Sequence, residues 1–86
     1  MEVELSSGFK KSFGRLPAYI QEKSIRRMKI FEDSNAKDSR LEIHKLQGDR
    51  KEEWAYSVDD SYRIAFIFLG NNKVLYTDVG THDQVY

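Results

Sequence analysis

A chain of 86 residues is far below the length at which hydrophobic cores divide, so a single domain over residues 1–86 is expected, burying roughly 60–65% of the surface its unfolded form exposes. Its 14 basic and 14 acidic residues cancel, a balance that gives no general affinity for nucleic acid, and the absence of cysteine excludes disulfide staples and thiolate metal sites and fits a reducing, cytoplasmic location. The acidic opening Met1-Glu2-Val3-Glu4-Leu5 argues against secretion, and the longest apolar run, the six residues Ile64 to Leu69, falls far short of the ~20 that a membrane-spanning helix needs.

The charge is unevenly spread. Residues 1–51 hold 12 Lys/Arg against 8 Asp/Glu, a net +4, and residues 52–86 hold 2 against 6, a net −4, which allows a local basic surface on a neutral molecule. Along the chain, Val3 and Leu5 alternate with Glu2 and Glu4, the period of a strand. Ser6 or Ser7 then offers an N-cap, and Phe9, Phe13 and Leu16 recur at helical spacing, which predicts a short first helix. Pro17 suits the first turn of a second helix running to about Asp33. At ~100° per residue Ile20, Ser24, Ile25, Met28 and Phe31 share one arc, and Glu22, Lys23, Arg26 and Lys29 the other. That basic outer stripe is read as a solvated face. Asn35 to Arg40 reads as a polar loop.

After it the period changes. Leu41–Leu46, Trp54–Val58, Tyr62–Leu69 and Lys73–Val79 are rich in β-branched, aromatic and aliphatic residues, with Gly48, Asp59-Asp60 and Gly70-Asn71-Asn72 between them. Short connections predict antiparallel hairpins. Tyr62, Ile64, Phe66 and Phe68 fall on one face of the third strand, and Arg63, Ala65, Ile67 and Leu69 on the other. A strand apolar on both sides belongs in the middle of a sheet. The order β-α-α-β-β-β-β therefore predicts an α+β fold, with two N-terminal helices packed on one face of a mostly antiparallel four- to five-stranded sheet. The face without helices is where a partner or substrate would sit, and Arg63 is expected on it. Trp54, on a strand with Tyr56 and Val58, reads as core rather than as a stacking platform.

Neither a glycine-rich phosphate loop nor a histidine–carboxylate cluster at ligand spacing occurs, so no cofactor and no metal is expected. His44 and His82 lie in different elements, and each alone reads as a structural or surface residue.

Phe9-Lys10-Lys11-Ser12-Phe13 with Leu16-Pro17, then His44-Lys45-Leu46-Gln47-Gly48, Trp54-Ala55-Tyr56-Ser57-Val58, Tyr62-Arg63-Ile64 and Val79-Gly80-Thr81-His82-Asp83-Gln84-Val85-Tyr86 recur in order over nearly the whole chain. Together they resemble the RelE/ParE superfamily of bacterial toxins, most nearly its mRNA interferases of the RelE and YafQ type. The resemblance implies ribosome-dependent cleavage of mRNA by attack of a ribose 2′-OH on the adjacent phosphate, and silencing by a cognate antitoxin protein. Such a reaction needs a base, a cation for the charged transition state and an acid for the leaving 5′-oxygen. By the same resemblance His44 is the candidate base and Arg63 the phosphate cation, its guanidinium fork being suited to phosphate. His82 donates a proton or braces the phosphate, since imidazole titrates near ~6.5. Tyr86 supplies a ring for stacking on a base and a hydroxyl, and Lys45, Arg50 and Lys51 are candidate contacts to the RNA backbone. Arg63 has an alternative as an ion-pair partner of Asp59 or Asp78.

The sequence departs from the YafQ pattern at Ser61, where those toxins carry an acid, and at Ser57, where they carry a further histidine. It is also expected to lack the C-terminal helix of some relatives. A non-enzymatic module, either a ParE-type gyrase inhibitor or a degenerate antitoxin-binding domain, is the alternative function.

Overall fold

A strand that is apolar on both faces must be covered on both, and the computed structural model, which describes Met1–Tyr86, places Tyr62–Gly70 at the centre of a five-stranded sheet. The strands are β1 (Glu2–Leu5), β2 (His44–Lys45), β3 (Trp54–Ser57), β4 (Tyr62–Gly70) and β5 (Lys73–Thr81), and the helices α1 (Ser7–Gly14), α2 (Ala18–Asp33) and α3 (His82–Val85). The sheet order is β1-β5-β4-β3-β2, with β1 parallel to β5 and every other pairing antiparallel. The α+β arrangement expected from the sequence is thus present.

The two faces of the sheet are built from different residues. On one, Phe31 of α2 stacks on Tyr56 at 4.9 Å between ring centroids and meets Phe66 and Tyr76 edge-on at 4.9 and 5.8 Å. Phe9 of α1, Leu41, Val58, Ile64, Val74 and Val79 complete this core. The helices reach it through local chemistry. The Ser6 hydroxyl caps α1 by accepting from the Phe9 N–H at 3.0 Å. Gln21 Nε2 donates to the Phe13 carbonyl at 3.0 Å and ties the end of α1 to the start of α2. On the other face the register pairs Ala55 with Ala65, and these two small residues pack with Leu46 and Val85 in a separate small cluster.

Four expectations need correction. Leu41–Leu46 is not a six-residue strand: Asp38 caps a 3₁₀ turn at Ser39–Leu41, Glu42 takes a left-handed φ of 53°, and only His44–Lys45 pairs with β3. Leu41 enters the aromatic core from the 3₁₀ turn, and Leu46 joins the small cluster on the opposite face. A C-terminal helix exists, because Thr81 and Gln84 form a reciprocal capping box around its single turn. The face thought to lack helices is therefore partly covered by α3. Trp54 packs against the aromatic core, as expected, but is only partly buried, edge-on to Phe68 at 5.6 Å with the Lys45 ammonium 6.0 Å from its ring. On α2, Ile25 faces solvent at 56% exposure, whereas Ser24 is fully buried with its hydroxyl unpartnered.

At the centre of the aromatic core the Tyr56 hydroxyl donates to the Tyr76 hydroxyl at 2.9 Å. Burial pushes both phenols above their usual titration range. Removing one hydroxyl leaves its buried partner without a hydrogen bond, which costs about 1–3 kcal/mol, whereas removing both is close to neutral. Tyr56→Phe and Tyr76→Phe should each lower unfolding free energy by roughly that amount, and the double variant by clearly less than their sum, as urea denaturation would measure.

Candidate functional site

The site lies on the small-residue face of the sheet, where β2 and α3 meet. His44 sits on the edge strand opposite Ala55, which in turn pairs with Ala65. Its orientation is set by the turn before it: the left-handed Glu42 presents its carbonyl to His44 Nδ1 at 2.9 Å. A carbonyl can only accept, so Nδ1 carries a hydrogen, and in the neutral imidazole Nε2 is then the nitrogen with the lone pair. That lone pair accepts from the Tyr86 hydroxyl.

Tyr86 is brought there by α3. The strand β5 ends at Thr81, whose hydroxyl accepts from the Gln84 N–H while Gln84 Oε1 accepts from the Thr81 N–H at 2.8 Å. A Cβ at position 80 would lie 2.6 Å from Gln84 Oε1, so a larger residue there would push the Gln84 amide out of this capping box. Val85 is fully buried in the small cluster. The Tyr86 ring then meets both imidazoles, with its centroid 5.2 Å from that of His44 and 4.1 Å from that of His82. His82 is half-exposed at 51%, with Nδ1 3.7 Å from Asp83 Oδ1. His44, Lys45, Leu46, Gln47, Arg50, Val85 and Tyr86 line a cleft of about 280 Å³ beside this trio.

The structure thus brings together His44, His82 and Tyr86, which the sequence separates by up to 42 positions. Arg63 is placed differently. Its Cα is opposite Ser57 and Gly80, on the same face as Ala65, but its Nη1 donates to the Asp59 carbonyl at 2.6 Å and the Tyr62 carbonyl at 3.0 Å. The guanidinium is folded toward the β3–β4 turn and does not line the cleft. The Asp59 carboxylate is occupied elsewhere. It accepts from the Ser61 and Tyr62 N–H groups at 2.9 Å each, and it lies 3.5 Å from the Lys23 ammonium. Desolvation pushes its pKa up, but these donors outweigh it and hold the carboxyl below its usual range.

Arg50 lines the cleft with its cationic group committed. Nε and Nη2 form a fork on Glu53 at 2.7 and 2.9 Å, Nη1 donates to the Val85 carbonyl, and Nη2 stands 3.7 Å from Asp78 Oδ2. Glu53 also accepts from the Thr77 hydroxyl, and Asp78 accepts from the Ser12 hydroxyl at 2.8 Å and the Val79 N–H at 2.9 Å. Glu53, Thr77, Asp78 and Ser12 were missed by sequence reasoning; the one local signal was the three-residue spacing of Arg50 and Glu53. Of the other basic candidates, Lys45 and Lys51 are exposed, and only Lys45 lines the cleft.

No family model and no curated protein sequence matches this chain. Solved structures do. The YoeB/ParE toxin from Agrobacterium tumefaciens aligns with a TM-score of 0.75 over 95% of this chain and 99% of its own, at 14% identity. The fold is that of the RelE/ParE toxins. YafQ from E. coli aligns with a TM-score of 0.72 over 99% of this chain and 97% of its own at 15% identity. A chain of the RelB-RelE antitoxin-toxin complex from Methanococcus jannaschii gives 0.73 over 96% and 94% at 17%. On this RelE/ParE fold the histidine–tyrosine trio occupies the sheet face opposite α1 and α2.

The Arg50 hydrogen bonds are the main reason that the Glu53 carboxyl is held below its ordinary value of 4.5. A depressed folded-state pKa contributes stability that is present above that ordinary value and lost as pH falls through the folded one. Glu53→Gln should therefore melt below the wild type at pH 7, and the gap in Tm should close as pH falls below about 4.5.

Proposed function

We propose that this chain is the toxin of a toxin–antitoxin pair and acts as an endoribonuclease on mRNA in translating ribosomes. The observation that carries the reading is the meeting of two imidazoles from distant elements around one terminal phenol, beside an open cleft. Its fold supports it, being that of proteins described as toxins, one of them solved within an antitoxin-toxin complex. By analogy the partner is a cognate antitoxin protein.

In the proposed reaction the ribose 2′-oxygen attacks the adjacent phosphorus and the bond to the 5′-oxygen breaks. His44 Nε2, already free of hydrogen, takes the 2′-OH proton, either directly or through the Tyr86 hydroxyl that now occupies it. Protonated His82, on the same phenol ring, delivers a proton to the leaving 5′-oxygen, so the products are a 2′,3′-cyclic phosphate and a 5′-hydroxyl. The half-exposed Tyr86 ring offers a surface on which an unstacked base can rest. Lys45 and Lys51 follow the RNA backbone, and Arg63 stabilises the phosphorane-like charge through Nε and Nη2, the guanidinium nitrogens that its two carbonyl contacts leave open.

A second reading has its own observation. Both arginines proposed for RNA contact, Arg50 and Arg63, are bonded to protein acceptors, which suits a toxin-like binding module that performs no chemistry. Primer extension on translating ribosomes separates the two. The nuclease reading expects wild-type cleavage, a loss of about 10²–10⁴-fold in His44→Ala, and a marked loss in Arg63→Ala. Intact mRNA with the wild type sinks it, and DNA damage on expression would then indicate a gyrase inhibitor.

A further inference from the structure

The trio depends on an element that cannot stand alone. A helix of one turn has no stability of its own in water, and α3 has four residues. Besides its capping box, three contacts hold it down: the His82 N–H donates to the Ser61 carbonyl at 2.9 Å at its start, the Val85 side chain is buried, and Arg50 Nη1 donates to the Val85 carbonyl at its end. That carbonyl belongs to the peptide unit leading into Tyr86, and it is one of the acceptors that a helix C-terminus leaves without an internal partner.

Arg50 can act as a strut because it is itself fixed. Its fork on Glu53 anchors it to the residue that opens β3, and Glu53 is held in turn by Thr77 of β5. Asp78, 3.7 Å away, is held by Ser12 of α1. The guanidinium is therefore tied to strands on both sides of β4 and presents its third nitrogen, Nη1, to α3. Two carboxylates also face it, so an incoming phosphate at this place would meet net negative charge. An RNA-contacting role fits poorly with that surrounding.

We infer that Arg50 is a positioning residue: it clamps the Val85 carbonyl and so sets the Tyr86 phenol against His44. Its effect on cleavage rests on the nuclease reading above; the placement of Tyr86 does not. A lysine could keep the charge but lacks the planar fork that engages Glu53 and Val85 together.

The test uses the full chain with isotopic labels. NOEs from the Tyr86 ring to the His44 and His82 imidazoles are compared in wild type, in R50K and in the double variant R50M/E53L, which removes the Arg50–Glu53 pair together and leaves the part-exposed Asp78 its bonds from Ser12 and Val79. Retained amide dispersion shows that the fold persists. The inference expects the Tyr86 NOEs to be lost or at least halved in both variants; if the double variant does not fold, R50K gives the reading. Where the wild type cleaves RNA, kcat should fall by about 10²-fold, as a misplaced group costs, with KM changed by less than about 3-fold, as expected if ground-state binding is untouched. Unchanged NOEs in a folded variant overturn the inference, and if cleavage fell at the same time Arg50 would be an RNA contact. Lost NOEs in a protein whose wild type cleaves nothing would uphold the positioning role and remove the nuclease reading.

Discussion

Everything at the candidate site depends on burying one valine. The paired Ala55 and Ala65 leave a shallow seat at the middle of the sheet, and Val85 fills it together with Leu46. Full burial of a valine side chain contributes roughly 1.5–3 kcal/mol, and that is a large share of what a single helical turn can draw on. Without the seat, the capping box of Thr81 and Gln84 would order only the start of α3, and the Arg50 bond to the Val85 carbonyl would be left to direct the chain back toward β2 by itself. With it, the last residue is carried to an edge strand whose histidine precedes it by 42 positions.

The two faces of β4 thus do different work with the same backbone. Ile64 and Phe66 look toward the helices and join a large aromatic core around Phe31, in which one hydroxyl pair is the polar content. Such a core tolerates little change of volume. The opposite face carries Arg63 and Ala65, and its small residues make room for α3 rather than for a second helical layer. The rigid side supplies a platform, and the site is assembled from short pieces laid on it: a two-residue strand, a 3₁₀ turn and one turn of helix.

How much of this could be read from the residues follows from that division. Long elements announce themselves by period: α2 and the doubly apolar β4 were legible, and with them the α+β class and the central strand. Short elements do not, because a period needs several residues to show. Leu41–Leu46 looked like a strand from its aliphatic residues, yet a 3₁₀ turn and a left-handed Glu42 take up its first half and leave only His44–Lys45 to pair. The terminal helix had a legible signal in Thr81-His82-Asp83-Gln84, a capping-box pattern, which its brevity concealed. The resemblance to known toxins named His44, His82 and Tyr86, and the fold gathers them. It could not reveal that Arg50 and Arg63 spend their hydrogen bonds inside the protein, because such partners as Val85 and Asp59 offer backbone carbonyls, which no side-chain pattern encodes.

That last difference bears on the chemistry. In the free chain His44 has its lone pair exposed at the correct nitrogen, and it is occupied only by the Tyr86 hydroxyl. A substrate hydroxyl replacing that contact exchanges one hydrogen bond for another, a nearly even trade. Arg63 stands otherwise: two carbonyls hold its Nη1 at the β3–β4 turn and the guanidinium does not line the cleft, so its Nε and Nη2 hydrogens have to swing across to meet a phosphate. In the proposed reaction the base is therefore in place beforehand, while the cation is drawn in by the substrate's own charge. An RNA seated along Lys45 and Lys51 would supply that charge at close range, and isolated nucleotides, with few phosphates, would supply little of it.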